Sequence, residues 1–198
     1  DVFNIHLQKI YQEITEVLPD PGFKSGRFRL KGSLAGDEGG PPAEMMMQDI
    51  LELLNAPGLL KSTQNIVIHE ELDLPRISFY APELLFAALF MVFKNAIEAI
   101  RTEGDIYIRT LRKGNLAIIR IIDTGEGISP EDRRQIFTPF FTTKERAVHH
   151  GLGLAVVRDI LKHQRGRITL ISRLGKGTEV NMEVPQPGIA DEQDKSDQ

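Results

Sequence analysis

From Pro82 to about Arg101 the chain carries almost no polar residue before Lys94. The apolar residues surround the helical axis instead of gathering into one stripe, and such a helix persists in water only when other elements cover it. Pro82 suits the first helical position, where its missing N–H leaves no hydrogen bond unmade. The pattern therefore predicts a buried central helix over 82–101, with the rest of the fold arranged around it. Its polar exceptions stand together, since Lys94, Asn95 and Glu98 share one sector with Met91. An amide, an ammonium and a carboxylate on one side of an apolar helix suit the edge of a magnesium–phosphate site. A lone asparagine also caps neighbouring loops, and that alternative stands beside the first.

Strand signals flank this helix. Alternation predicts strands over 65–70 and 76–80, and a hairpin of 105–111 with 116–122 around Lys113-Gly114-Asn115. Beyond one brief helical turn, 129–150 has no sustained periodicity; 152–163 then reads as a helix and 167–184 as a second hairpin around Gly175-Lys176-Gly177. Near the start, Phe3, Leu7, Ile10, Ile14 and Val17 step by fours and threes, an amphipathic helix within 1–19 that fits the end of a dimerisation hairpin. Residues 20–42, rich in glycine and proline, read as a linker with at most a minor strand over 27–30. A helix is expected over 43–54, and 186–198 reads as a disordered acidic tail. The expected fold is a two-layer α/β sandwich over 43–185, a mixed sheet packed on helices 43–54, 82–101 and 152–163, preceded by an N-terminal helical segment.

Charge and composition narrow the function. A net charge of -4 with lysine and arginine scattered among acids offers no basic stripe for a phosphate backbone, so no nucleic-acid partner is expected. The absence of cysteine excludes a disulfide framework and thiolate metal sites, and fits a reducing, cytoplasmic setting. No apolar run approaches the roughly twenty residues that cross a bilayer, so no membrane contact is expected of this segment, which leaves open an anchored, longer parent. His69, His150 and His163 lack metal-ligand spacing, and structural or solvated roles are expected for them.

Four stretches carry candidate chemistry. Asp123-Thr124-Gly125-Glu126-Gly127-Ile128 sets a carboxylate at the mouth of a buried strand, followed by glycines that let backbone lie against a flat ligand. That carboxylate can accept an adenine amino group; alone, the stretch equally fits a glycine-rich turn whose Asp bonds its own backbone. A calcium loop would need acids at Gly125 and Gly127 and a Glu at Arg134, and fails on all three. Gly151-Leu152-Gly153-Leu154 opens a helix where free N–H groups and the helix dipole can hold phosphate, though it matches neither the dinucleotide fingerprint nor the P-loop. Phe137, Phe140 and Phe141 read as anchors of a mobile segment bearing Lys144, whose ammonium can reach terminal phosphates or remain solvated. Thr178, after the Gly175 turn, is placed to help Asp123 hold a purine through a water.

In order and spacing these stretches resemble the catalytic ATP-binding domain of sensor histidine kinases, of the Bergerat-fold superfamily that includes DNA gyrase, the ninety-kilodalton heat-shock chaperone and MutL. Lys94-Asn95-Ala96 resembles the family's asparagine box, Asp123 to Gly127 its first glycine box, Phe137 to Lys144 its phenylalanine box and Gly151 to Leu154 its second glycine box. The resemblance implies ATP and Mg2+ as cofactors, with Asn95 on the metal, Asp123 on adenine, and Lys144 with Lys94 on the phosphates. Asn95 and Lys144 would be the catalytic pair, and 129–150 the lid. It also implies a histidine-bearing dimerisation domain, a homodimeric parent and a response-regulator receiver domain that takes the phosphoryl group onto an aspartate.

Three departures accompany the resemblance. ATP-hydrolysing members carry a glutamate one turn before the magnesium asparagine, where this chain has Met91, and a thioether takes no proton from water. His149 stands where the lid usually has glycine. The family's acceptor motif is missing, and His6 is the one upstream candidate for phosphorylation. A serine kinase of the anti-sigma type, an ATP-operated switch and a catalytically inactive ATP-binding module are the alternatives.

Overall fold

The computed structural model of the chain describes residues 64–79, 82–143 and 151–186, with the backbone of 43–46 and single positions between 5 and 51. Among these residues the strands are β1 (Ala43–Met46), β2 (Asn65–Leu72), β3 (Arg76–Phe79), β4 (Glu103–Lys113), β5 (Leu116–Asp123), β6 (Arg167–Ser172) and β7 (Thr178–Pro185). The helices are α1 (Pro82–Ala99), α2 (Pro130–Arg133) and α3 (Gly153–His163).

The expected central helix forms as α1. Leu85, Phe86, Ala87, Ala88, Phe90 and Phe93 are fully covered, which is why a segment apolar on all sides can be helical here. With no basic residue in its last turn, α1 is closed by a side chain, as the Gln64 amide donates to the Ile97 and Ile100 carbonyls at 3.1 and 2.6 Å.

Five strands form a mixed sheet in the order β2-β4-β5-β7-β6. The β2–β4 pair is parallel, because the chain between them crosses over through α1, and the other pairs are antiparallel. Alternation along β4, β5 and β7 turns Ile106, Ile108, Ile119, Ile121, Val180 and Met182 toward α1 and α3. The opposite face carries ion pairs, Arg109–Glu71 at 2.8 Å, Arg120–Glu179 at 3.3 Å and Arg167–Glu183 at 2.8 Å. His69 belongs to that outer face, where it stacks on Tyr107 and meets the Asp105 carboxylate at 2.7 Å.

Two expectations are corrected. The helix expected from residue 43 begins as β1, paired antiparallel with β3 in register Ala43↔Phe79; Met47 and Leu51, the described residues of that stretch after β1, are helical. A short apolar run does not distinguish the two states, and pairing with β3 decides for strand. This pair is a separate two-stranded sheet, so β3 does not belong to the main one. Gln186, assigned to the tail, is instead buried: its Oε1 accepts the Ser78 N–H at 2.9 Å and its own N–H donates to the Asn115 carbonyl at 2.7 Å. The linker 20–42 and the tail 187–198 lie outside the described residues.

Candidate functional site

A cavity of about 830 Å³ opens between α1, the start of α3 and the loop after β5. Its size is that of a site for a nucleotide-sized ligand. Asp123, the last residue of β5, is buried at its inner end, and its Oδ1 accepts the Gly125 N–H at 2.9 Å. Directly opposite on β7 stands Thr178, also buried, because the antiparallel register pairs the two residues.

The loop bearing Asp123 is fastened on two sides. The Glu126 N–H donates to the Ala99 carbonyl at the end of α1 at 2.9 Å, and the Gly175 N–H donates to the Glu126 carbonyl at 2.6 Å. A Cβ on Gly125 would stand 2.5 Å from the Ala99 carbonyl oxygen. Gly127, at φ +68, has its Cβ direction filled by the Arg173 carbonyl. Both glycines admit backbone to backbone; Gly127 also lines the cavity, as contact with a ligand requires, whereas Gly125 does not.

Ser172, which sequence reasoning did not single out, completes this end. Its hydroxyl accepts the Ile128 N–H at 2.8 Å, donates to the Gly177 carbonyl at 2.9 Å and meets Thr178 Oγ1 at 2.9 Å. With its single proton committed to the carbonyl, Ser172 accepts from Thr178, which leaves Thr178 Oγ1 with acceptor capacity. A serine at a strand end carries no local signal of such a role; only the β6–β7 pairing brings it to Ile128.

The other end of the cavity is built on the polar sector of α1. Lys94, Asn95, Glu98 and Met91 all line it, and Lys94 Nζ lies 3.4 Å from Glu98 Oε1. A Cβ at Gly153 would stand 2.7 Å from Met91 Cε and 3.9 Å from Asn95 Nδ2, so the first turn of α3 packs onto the Asn95 face. No side chain caps α3 at Leu152, and its first turn has no acidic residue. Backbone N–H groups and the positive end of the helix dipole there suit an anion. Gly151, Leu152, Gly153 and Leu154 all line the cavity.

The aromatic anchors behave unequally. Phe137 packs against the core and Phe141 lines the cavity, whereas Phe140, at φ 67, is 62% exposed. Arg158 of α3 donates to the Phe137 carbonyl at 3.0 Å, and a Cβ on Gly151 would stand 2.5 Å from the Phe141 carbonyl oxygen. Phe141 and Gly151, which flank 144–150 in sequence, thus meet at the cavity. Lys144 and His149 between them, and His6 near the N-terminus, lie outside the described residues.

The donor set fits a magnesium-bound triphosphate. It offers a neutral amide, a lysine, an uncapped helix N-terminus and, at the far end, a carboxylate paired with a hydroxyl acceptor. Among the described residues no group of three His, Cys, Asp or Glu side chains could hold a metal by itself, so a cation here would draw ligands from the phosphates as well as from Asn95.

Residues 81–188 match the family model described as histidine kinase-, DNA gyrase B-, and HSP90-like ATPase. Sensor histidine kinase ZraS of Salmonella typhimurium is 40% identical over 114 residues, which is 57% of this chain and 24% of the relative. The chain thus spans about a quarter of the length of that curated relative. Among solved structures, the catalytic domain of histidine kinase ThkA superposes with a TM-score of 0.61 at 24% identity, over 74% of this chain and 97% of that one. Full-length ShkA, solved in complex with AMPPNP, gives 0.63 at 23% identity, over 73% of this chain and 31% of that one. These two likenesses establish the fold, a mixed five-stranded sheet packed with helices.

Proposed function

The chain belongs to the family of histidine kinase-, DNA gyrase B-, and HSP90-like ATPases, and from that premise we propose that it is the ATP-binding catalytic part of a sensor histidine kinase. In this reading ATP is the substrate, its adenine at Asp123 and Thr178 and its triphosphate between Asn95 and the start of α3. One observation supports the assignment: the register partners Asp123 and Thr178 line the same cavity as Asn95 and the Gly151–Leu154 start of α3.

Asn95 would hold magnesium, which when bound neutralises charge on the phosphoryl oxygens. The chain's own residues do the rest. Asp123 selects adenine by accepting a hydrogen bond from its amino group, and the α3 N-terminus with Lys94 stabilises negative charge. Lys144 would add a second ammonium, as the family's phenylalanine box implies. The terminal phosphorus–oxygen bond breaks, a bond to an imidazole nitrogen on a histidine-bearing dimerisation domain forms, and ADP departs. A receiver-domain aspartate of a response regulator accepts the group next. The parent protein would be a homodimer that works in the cytoplasm.

Met91 bears on the alternatives. It lies in the cavity wall one turn before Asn95 and touches the start of α3, where its thioether offers no base to water. This favours a kinase over an ATP-hydrolysing switch. The reading is tested by incubating the longest available chain with radiolabelled ATP and magnesium and following the label in acid. Acid-labile label on a histidine is expected. Acid-stable label on an added protein would identify a serine kinase, and rapid phosphate release without protein labelling would identify a switch.

A further inference from the structure

The cavity has a wall outside the matched family region. Lys9, Ile10 and Gln12 line it together with α1 and the Asp123 loop. They belong to an N-terminal segment whose described residues between 5 and 14 are helical. The segment is seated in the fold, since Ile10 is 4% and Ile14 0% exposed and both belong to the same hydrophobic core as α1. Ile10 thus serves at once as core residue and cavity lining, which fixes its neighbour Lys9 at the edge of the site.

The charges lining the cavity give that position a consequence. Among the described residues they are Lys9 and Lys94 against Glu98, Asp123, Glu126 and Asp132. Glu126 is paired with Arg101 at 3.0 Å and Lys94 stands 3.4 Å from Glu98, so a bound polyanion gains from a further cation on the wall. Lys9 is exposed, so its long side chain can follow a ligand's phosphates. We propose that the N-terminal helix forms the outer wall of the nucleotide site and that Lys9 supplies a cation to the triphosphate, so that nucleotide binding and seating of this helix reinforce each other. The inference rests on the ATP reading of the same cavity.

Calorimetric titration of the full chain with Mg-ATP and with adenosine, in the parent, Lys9→Glu and Lys9→Arg, tests it. Lys9→Glu should weaken ATP binding by about tenfold at low ionic strength, with the gap closing as salt is raised. Adenosine affinity should be unchanged, and Lys9→Arg should bind ATP like the parent. Hydrogen exchange read on the same samples should show ATP slowing exchange of backbone amides between residues 8 and 14. If Lys9→Glu binds ATP within about twofold of the parent, loses adenosine affinity equally, or binds ATP more tightly, the proposal is overturned. It is likewise overturned if ATP leaves exchange in this segment unchanged or speeds it. A folded parent that binds no ATP overturns the ATP reading and this inference together, whereas a parent that binds ATP beside an indifferent Lys9→Glu overturns the inference alone.

Discussion

The two ends of the cavity are built on opposite principles. Around Asp123 nearly every contact is backbone-bound: the Glu126 N–H on the Ala99 carbonyl, the Gly175 N–H on the Glu126 carbonyl, the Ile128 N–H on Ser172. Around Asn95 the contacts are made by side chains and a helix terminus: the Lys94–Glu98 pair, Met91 on Gly153, and an uncapped α3. Backbone locked to backbone fixes an acceptor to within a fraction of an ångström, which suits recognition of a base. Side chains and helix ends would accommodate, in the proposed reading, a ligand whose charge and length change as phosphate is transferred. Selection is assigned to the rigid half and adaptation to the other.

The largest effect should come from breaking the rigid half. Gly127→Ala combines a positive φ with a collision against the Arg173 carbonyl, and should lower stability by about 3 kcal/mol in urea unfolding. Gly175→Ala is the control, since its φ is +72 but nothing stands within 4 Å of its Cβ direction; a loss of about 1 kcal/mol is expected. Equal losses would mean that backbone strain alone matters and that the fastening is incidental.

Next in size is Asp123→Asn, which should weaken ATP binding by about thirtyfold in calorimetry, the equivalent of one charge-assisted hydrogen bond. Unaltered affinity would detach this carboxylate from the ligand. At the adaptable end, Asn95→Ala should abolish the difference between titrations of ATP with magnesium and with a chelator, and leave adenosine binding as it was. A magnesium dependence that survives the substitution would move the metal elsewhere. The smallest effect belongs to Ser172→Ala, about 1 kcal/mol of stability with a few-fold loss of ATP affinity, because Ile128 N–H and Thr178 both lose a buried partner.

The sequence was most legible where periodicity and burial coincide. α1 is apolar on all sides because it is covered on all sides, and its few polar residues mark the cavity because nothing else would place them there. Asp123 was legible from its position at a strand end, and Thr178 only from its position after the Gly175 turn; the β5–β7 register makes them direct partners. What escaped were features set by distant pairing. The run at 43–46 has no alternation that separates strand from helix, and only β3 settles it. Ser172 carries no local signal until β6 and β7 bring it to Ile128, and the Cβ directions of Gly125 and Gly127 are closed by the Ala99 and Arg173 carbonyls. Ile10 and Ile14 read as a stripe in search of a partner helix, yet they are buried in the core that holds the cavity.

The division of labour is tested most directly by titrating the folded parent chain with Mg-ATP and Mg-GTP under one buffer. The two share a triphosphate and differ at the position that Asp123 would read, as a guanine presents a carbonyl where adenine presents an amino group. The account predicts that ATP binds at least about tenfold more tightly, since a carboxylate oxygen facing a carbonyl gains no hydrogen bond from the base and repels it. Equal affinities would contradict it.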